Sequence, residues 1–268
     1  SAGIPSWRCS WQGASAMKRL ALGLGNSTLR AAVYDEERLS GAISVPHEGG
    51  AAMAAVHEAL RALSPETPHA VVLCSVVPAL EEAVRSLCEE EGWPSPVAVR
   101  PERGPMPTAY ADPSKLGADR YCAALAAWRM ERGAVIVVDC GTALTVNVVG
   151  ATGRFEGGCI APGIRAGLAL MHARGAQLPM VDAAEELPLL AADTGDALRC
   201  GAVGMARHAV AGFCAAADAH YGYLHPLYVC GGDAPLLGRE GFGARRVVVV
   251  DDLVLRGAIF FLLLVEGS

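Results

Sequence analysis

The sequence is poor in aromatic residues and in positive charge, and each scarcity excludes a class of protein. Phe, Trp and Tyr make up 6% of the 268 residues, so alanine, valine and leucine must fill the core. The formal net charge is −6 and no basic cluster is present, which argues against nucleic acid as a partner. Phosphate groups are not excluded, because backbone N–H groups at a turn can bind them locally.

Long apolar runs and paired cysteine motifs are also missing. Runs such as residues 258–265 are too short to span a membrane, so no membrane association is expected. None of the nine cysteines lies in a CxxC pair, and the odd number argues against a secreted disulfide framework. The sequence therefore predicts a location in the reducing cytoplasm. Residues 1–16, before Met17, lack a signal-peptide pattern and are interpreted as a tag or an N-terminal extension.

One pattern occurs twice in the chain: an apolar strand, a tight turn with a glycine and small hydroxyl side chains, and a second apolar strand. The first copy spans residues 22–33 and the second spans residues 138–149, with Gly25 aligned to Gly141. Such turns present N–H groups and hydroxyls to an anion. Glycine permits the close approach that a phosphate needs. The repeat therefore predicts two phosphate-facing turns.

The two copies differ in one acid. Gly23 of the first copy aligns with Asp139 of the second. A carboxylate at the end of an apolar strand is costly unless it faces a cation or hydrogen-bond donors. We interpret Asp139 as a ligand for a metal or an ammonium-type cation beside a phosphate. The alternative is a carboxylate that caps its own turn.

The pattern of elements predicts an α/β protein with two similar halves, residues 17–132 and 133–268. Each half begins with three successive strands and continues with alternating helices and strands. The predicted strands are residues 19–25, 29–34, 38–45, 70–77, 96–100, 134–138, 144–149, 153–160, 228–231 and 246–250. The predicted helices are residues 51–63, 78–91, 115–132 (capped by Gly133), 163–174, 196–220 and 253–265. This layout resembles the duplicated actin-like (ribonuclease H-like) fold, in which two halves enclose an active-site cleft. Two unrelated Rossmann-like units are the alternative.

Further chemistry is indicated at the start of the third predicted helix. Asp119 lies in its first turns and is followed at once by Arg120. A carboxylate near a cation stays ionised at neutral pH, as a general base for a hydroxyl requires. An acid that only stabilises the helix start is the alternative. Glycine-rich residues 156–164 and 230–235 indicate close backbone approach to a ligand, a partner or a neighbouring element.

Several segments together resemble the type III pantothenate kinases, bacterial enzymes of the actin-like superfamily. The most specific are Leu-Gly-Ala-Asp-Arg at residues 116–120, Asp-Cys-Gly-Thr-Ala-Leu-Thr at residues 139–145 and Gly-Gly-Cys-Ile-Ala-Pro-Gly at residues 157–163. Residues 231–235 and 252–257 add to the similarity, which runs from about residue 20 to residue 258. His172 and His208 lack a second ligand at metal spacing and are interpreted as surface or packing residues.

The resemblance implies ATP-dependent phosphorylation of pantothenate, the first step of coenzyme A biosynthesis. It implies Asp119 as the catalytic base, Asp139 as the ligand of a monovalent cation (K⁺ or NH₄⁺), and Mg²⁺ bound with ATP. It also implies a homodimer whose pantothenate pocket lies near the subunit interface. The implied pantothenate-binding residues are Tyr110, Gly117, Ala118, Asp119, Arg120 and Thr194. The implied ATP-binding residues are Gly23, Leu24, Gly25, Asn26, Ser27, Thr28, Leu29, Arg30 and Thr142.

The chain departs from that family at the first turn, which normally reads Asp-x-Gly-Asn-Thr. Here Gly23 replaces the acid and Ser27 replaces the threonine, and Asn147 stands where a later Asp is usual. The loss of two negative charges predicts weaker Mg²⁺ binding. A catalytically weak or inactive relative with a binding or regulatory role is therefore a second hypothesis. A sugar or acetate kinase of the same fold is a third, which leaves residues 116–120 unexplained.

Overall fold

The computed structural model describes residues 17–35, 38–46, 52–64, 66–238 and 242–266, so the predicted N-terminal extension, residues 1–16, lies outside the described residues. The strands are β1 (Lys18–Leu24), β2 (Thr28–Asp35), β3 (Arg38–Pro46), β4 (Ala70–Ser75), β5 (Val97–Ala98), β6 (Val135–Cys140), β7 (Ala143–Val149), β8 (Phe155–Pro162), β9 (Leu227–Cys230) and β10 (Val247–Val249). The helices are α1 (Ala52–Leu63), α2 (Pro78–Glu90), α3 (Ala118–Glu131), α4 (Ile164–Arg174), α5 (Thr194–Arg199), α6 (Met205–Tyr221), α7 (Ala234–Leu237) and α8 (Leu253–Glu266).

The two halves of the chain form two sheets of the same topology. The first sheet has the order β3-β2-β1-β4-β5, and the second, taken from the corresponding edge, has the order β8-β7-β6-β9-β10. In each sheet the first three strands are antiparallel and the other two run parallel to the first. This identity of strand order confirms the predicted duplication and rules out two unrelated units.

Strand periodicity sorts the side chains of each sheet into an inner and an outer face. In β1, Leu20 and Leu22 belong to an outer core beneath α1 and α2, whereas Ala21 belongs to the central core between the sheets. The inner faces of β4, β6 and β9 contribute to the same central core. Position 23 continues the inner series of β1, so Gly23 faces the other half of the molecule.

Helices α3 and α8 fill the space between the sheets. They cross so closely that a Cβ at Gly257 of α8 would lie 1.9 Å from the carbonyl oxygen of Cys122 in α3. Helix α3, from the first half of the chain, packs on β6 and β7, whereas α8, from the second half, packs on β1 and β4. A hydrogen bond of 2.8 Å from the Tyr34 hydroxyl to Asp252 fixes the start of α8 to the first sheet. The domain boundary at residue 132 stays a prediction from the sequence.

Two details of the predicted elements were wrong. Helix α3 begins at Ala118, because Pro113–Lys115 forms a separate 3₁₀ turn. Its C-cap is Arg132, which adopts the left-handed conformation with φ 59°, and not Gly133. The helix therefore ends one residue earlier than the glycine indicated.

The longest helical run extends from Thr194 to Tyr221 and includes a π-helical segment at Cys200–Gly204. It has 28 residues, and by length and composition alone it could cross a membrane. The sequence predicted a helix over residues 196–220, which covers most of this run, but it did not predict that the run is long and apolar enough to cross a membrane. In its most apolar window 22% is buried within the chain.

Candidate functional site

The two glycine turns face each other across one cleft between the halves. The cleft has a volume of about 510 Å³ and is lined by both turns, by the strand ends that precede them and by the starts of several helices. Of the residues predicted to bind ligands, it brings together Gly23, Leu24, Gly25, Asn26, Ser27, Thr28, Arg30, Asp119, Asp139 and Thr142. The duplicated turns therefore share a single site, with Asp119 and Asp139 both in it.

Hydrogen bonds of the main chain close each turn. The Gly25 N–H donates to the Thr28 carbonyl at 3.1 Å, and the Gly141 N–H donates to the Ala143 carbonyl at 3.0 Å. The first turn is one residue longer, as the ladder pairs show on either side of each turn. Ser27 and Thr142 occupy matching places. Both turns therefore present a hydroxyl and main-chain N–H groups to the same space.

Asp139 is the penultimate residue of β6, the position that Gly23 occupies in β1. Burial, and then the negative charge of Asp119, raise its pKa to about 6, although the charge of Arg30 acts in the opposite direction. Gly231 packs so closely that a Cβ there would lie 2.5 Å from an Asp139 carboxylate oxygen. An enclosed carboxylate repelled by a second acid is a suitable ligand for a cation.

Asp119 lies at the second position of α3, at the mouth of the same cleft. Its Oδ1 accepts a hydrogen bond of 2.7 Å from the Arg120 N–H. Burial raises the pKa of Asp119, and the N–H and the charge of Arg120 oppose that rise. Gly117 is required beside it, because an added Cβ would lie 2.7 Å from the carboxylate oxygen. The carboxylate is thus held in place and partly desolvated, which suits a general base.

Arg120 lies behind Asp119 and is buried, with 6% of its surface exposed. Its Nε donates to the Asn147 side chain and its Nη1 donates to the Tyr110 hydroxyl, each at 2.8 Å. Its Nη2 is buried and has no hydrogen-bond partner among the described residues. A buried guanidinium with neutral partners and an unused donor is suited to bind an anionic group of a ligand.

The structure corrects the expectation for Asn147. Its side chain is fully buried, bonds Arg120 and Thr145, and does not line the cleft. The change from a family Asp to Asn147 therefore alters the surroundings of Arg120 and not the charge that faces the cleft. Only the change at Gly23 removes an acid from the cleft itself.

The other predicted binding residues lie outside the cleft lining. Leu29 is buried in the outer core of the first sheet, and Thr194 is exposed at the start of α5. Gly117 and Ala118 line a second cavity of about 480 Å³, which shares Val76 with the cleft. Within a single chain, Thr194 therefore lines neither of the two cavities.

The two glycine-rich segments have different roles. In residues 156–164, Gly163 packs against the second turn, where a Cβ would lie 2.1 Å from the Gly141 carbonyl oxygen. In residues 230–235, Gly231 and Gly232 line the cleft. The first segment therefore supports a turn, and the second forms part of the site.

Sequence reasoning missed two sets of contacts made by the cleft residues Arg165, Asp233 and Asp252. Arg165, at the first turn of α4, forms an ion pair with the buried Asp233. Asp252 accepts hydrogen bonds from Tyr34 and Arg256. The position of Arg165 just after Pro-Gly at a helix start was the available signal for the first pair. Nothing local marked the second.

The predicted surface histidines fit that interpretation, because the ring of each bonds a main-chain carbonyl nearby: His172 with Leu178, and His208 with Gly204. Within the part of the chain that the structure describes, no three His, Cys, Asp or Glu side chains are close enough together to hold a metal ion. The role of Asp139 as a cation ligand therefore stays a prediction.

Two solved structures of similar fold contain bound nucleotide analogues. An activator of 2-hydroxyisocaproyl-CoA dehydratase from Clostridium difficile with bound ADPNP has a TM-score of 0.56 at 11% identity, over 94% of this chain and 97% of that one. MreB 5 of Spiroplasma citri bound to AMPPNP has a TM-score of 0.55 at 11% identity, over 95% and 98%. With the repeated sheets, these similarities define a protein of the duplicated actin-like α/β class.

The family follows from sequence comparison. The type III pantothenate kinase family model matches residues 19–216. A type III pantothenate kinase of Rubrobacter xylanophilus is 35% identical over 260 residues, which covers 89% of this chain and 94% of the relative. The chain belongs to the type III pantothenate kinases. Of the three hypotheses that the sequence left open, the comparison supports the pantothenate kinase.

Proposed function

We propose that the protein transfers the γ-phosphoryl group of ATP to pantothenate and so produces 4′-phosphopantothenate, the first step of coenzyme A biosynthesis. One observation carries the proposal: Asp119 and Asp139, from different halves of the chain, line one cleft between two glycine turns. Membership of the type III pantothenate kinases supports the choice of substrate.

The ATP phosphates lie between the turns, bound by the first turn from Gly23 to Arg30 and by Thr142 of the second. Both turns offer N–H groups and a hydroxyl, which neutralise charge without covalent chemistry. Phosphoryl transfer is catalysed mainly by positioning and by electrostatic stabilisation, so this arrangement is suited to it.

Asp119 accepts the proton from the primary hydroxyl of pantothenate as that oxygen attacks the γ-phosphorus. The bond from the γ-phosphorus to the oxygen that bridges it to the β-phosphate breaks, and ADP leaves. The raised pKa of Asp119 brings the base nearer to the working pH, which improves proton transfer.

Pantothenate binds on the side of Asp119 that is formed by Tyr110, Arg120 and the start of α3 at Gly117 and Ala118. The unused Nη2 of Arg120 supports this placement, because pantothenate carries a carboxylate. Thr194 contributes from the other subunit of a homodimer, since its own chain leaves it exposed and away from the cleft.

A monovalent cation, K⁺ or NH₄⁺, binds at Asp139, whose enclosed carboxylate supports that role. When bound with ATP, Mg²⁺ supplies positive charge to the phosphates. With no protein-built cluster of three ligands among the described residues, it is held chiefly by the nucleotide and water.

The second half carries an exposed apolar surface that supports a homodimer. Its large exposed apolar side chains include Ile160, Leu170, Met171, Leu189, Leu190, Met205 and Phe213. Exposed apolar side chains of this size are typical of surfaces that contact another subunit. The eight cysteines of the described residues are all free thiols, which supports a cytoplasmic location.

The test is ADP release that depends on both ATP and pantothenate, measured with Mg²⁺ and with K⁺ or NH₄⁺. We expect turnover by the natural chain and a loss of about 10²- to 10⁴-fold in kcat for Asp119→Asn, with ADP affinity unchanged. Asp112→Asn, which changes an exposed acid outside both cavities, is the matched control. Absence of turnover with both substrates bound would overturn the proposal.

A further inference from the structure

Arg30 has a special place in the first turn. In the β1–β2 ladder it is paired directly with Gly23, so its side chain lies on the inner face, where a side chain at position 23 would also lie. The equivalent pair in the second half is Asp139 with Thr145. In the second half an acid is thus paired with a neutral residue, whereas in the first half a glycine is paired with a cationic residue.

The Arg30 side chain extends across the cleft to the other half. Its Nη2 lies 3.7 Å from the position that a Cβ of Gly232 would take. Gly232 belongs to the glycine segment after β9, which lines the cleft. The guanidinium is thus placed between the phosphate-facing turns and the glycine segment of the second half.

The charge of Arg30 is available to a ligand. No hydrogen bond or ion pair joins its side chain to the residues that the structure describes, although it is close enough to Asp139 to influence that carboxyl electrostatically. By contrast Arg165, the other arginine of the cleft, is already paired with Asp233. A guanidinium binds phosphate oxygens with two parallel hydrogen bonds.

Glycine at position 23 preserves that availability. An acid there would be the direct cross-strand neighbour of Arg30, and opposite charges at such positions attract each other. The space is restricted but not closed, because a Cβ at Gly23 would lie 3.1 Å from the Leu255 side chain. The glycine at position 23 therefore leaves the Arg30 guanidinium without an acidic cross-strand partner.

The proposed function already includes Arg30 among the residues of the nucleotide site. We propose that its charge, unpaired because position 23 is glycine, replaces part of the neutralisation of the phosphates that a divalent cation otherwise provides. The proposal rests on the proposed function only for the identity of the nucleotide. It assigns this chain a nucleotide affinity that depends on Arg30 more than on Mg²⁺. The absence of a three-ligand metal cluster among the described residues agrees with it.

The test is calorimetric binding of ADP, without pantothenate, in Mg²⁺ and in EDTA. The natural chain should bind ADP in EDTA within about tenfold of its affinity in Mg²⁺. Arg30→Gln should weaken binding in EDTA by about 10- to 100-fold, the range for hydrogen bonds to charged groups. Arg30→Lys should retain part of the affinity, and adenosine binding should not change in either variant. Arg85→Gln, which removes a surface charge on α2, is the matched control.

Gly23→Asp gives a second and independent outcome. Its acid should pair with Arg30, so ADP binding should weaken in EDTA and recover in Mg²⁺, and the variant should become metal-dependent. The proposal is overturned if the natural chain loses more than about 100-fold of its ADP affinity in EDTA, or if Arg30→Gln binds ADP as the natural chain does. The experiment measures ADP binding without pantothenate, so its outcome does not depend on whether the protein phosphorylates pantothenate. Failure of this proposal and failure of the proposed function are therefore distinguishable.

Discussion

The Ser27 hydroxyl and the Thr142 hydroxyl lie 3.5 Å apart, each at the matching place of one glycine turn. They are 115 residues apart in the chain, and they meet because the two sheets present their turns to one cleft. A phosphate group between the turns would be within reach of both hydroxyls. This contact is the most direct link between the duplication and the chemistry.

Removal of either hydroxyl is predicted to weaken nucleotide binding. Ser27→Ala and Thr142→Val should each lower ATP affinity by about tenfold, because each loses one hydrogen bond to a charged group. The measurement is calorimetric titration with a non-hydrolysable ATP analogue. Ser114→Ala, which changes a hydroxyl outside the cleft, is the control. An effect from only one of the two variants would show that the turns do not bind the same phosphate group.

Stability is predicted to depend on pH through Asp139. Its pKa is raised from 3.8 to about 6, so the folded state retains the proton that the unfolded chain releases. This contribution is fully present below about pH 4 and is lost as the pH rises through 6, about 3 kcal/mol in all. Asp139→Asn should therefore be more stable than the natural chain at pH 7.5 but not at pH 4.

Urea unfolding at the two pH values measures this difference, with Asp251→Asn, an exposed acid of the same cleft, as the control. K⁺ should stabilise the natural chain at pH 7.5 and have no effect on Asp139→Asn if the cation binds at that carboxylate. Equal stability of the natural chain and the variant at both pH values would contradict the enclosed position of the carboxylate.

Asn147 is predicted to control the charge that Arg120 offers to the substrate. Asn147→Asp would place a carboxylate against the buried guanidinium, and the resulting ion pair would compete with the carboxylate of pantothenate. The KM for pantothenate should rise by about tenfold with a much smaller change in kcat. A neutral amide derivative of pantothenate should be affected less than pantothenate. Equal changes for both would mean that Arg120 does not bind the carboxylate.

The crossing of α3 and α8 is predicted to tolerate no side chain at Gly257. Gly257→Ala would force the helices apart, because the new methyl group would overlap the Cys122 carbonyl. Overpacking of this kind costs about 1–3 kcal/mol. Gly133→Ala is the matched control, since a Cβ there meets nothing within 4 Å. The readout is the free energy of unfolding, and equal values for the two variants would contradict the packing.

The apolar surface of the second half is predicted to join two subunits. Met205→Asp should convert the dimer to a monomer, because the side chain is 73% exposed in the single chain and a dimer would bury it. Leu39→Asp changes an exposed leucine of the first half and should leave the dimer intact. Light scattering after gel filtration distinguishes these outcomes. A monomeric natural chain would contradict the prediction.

Local patterns in the sequence predicted most of the fold. Apolar strands with glycine turns identified β1, β2, β6 and β7, because strand periodicity and turn chemistry are local. The repeat of three strands also predicted the duplication. Helix ends were less certain, and the α3 start was wrong because a prolyl 3₁₀ turn precedes it.

The site could be predicted only as separate segments. The position of Asn147 on the inner face follows from strand alternation, but its enclosure depends on Arg120 of α3, 27 residues away in the chain. The ion pair between Arg165 and Asp233 joins residues 68 apart. The first contact arises where the two halves pack together and the second from packing within the second half, and no local pattern encodes either of them. The role of Thr194 stays a prediction.

The exchange of helices between the halves has a consequence for the way that the chain is made. Because α8 completes the core of the first sheet, β1 and β4 cannot fully bury their inner faces until α8 has left the ribosome. The hydrogen bond from the Tyr34 hydroxyl to Asp252 likewise cannot form until Asp252 has been synthesised. The protein therefore cannot complete the core of its first half until α8 has been made, and loss of α8 by premature termination would leave the inner face of the first sheet uncovered.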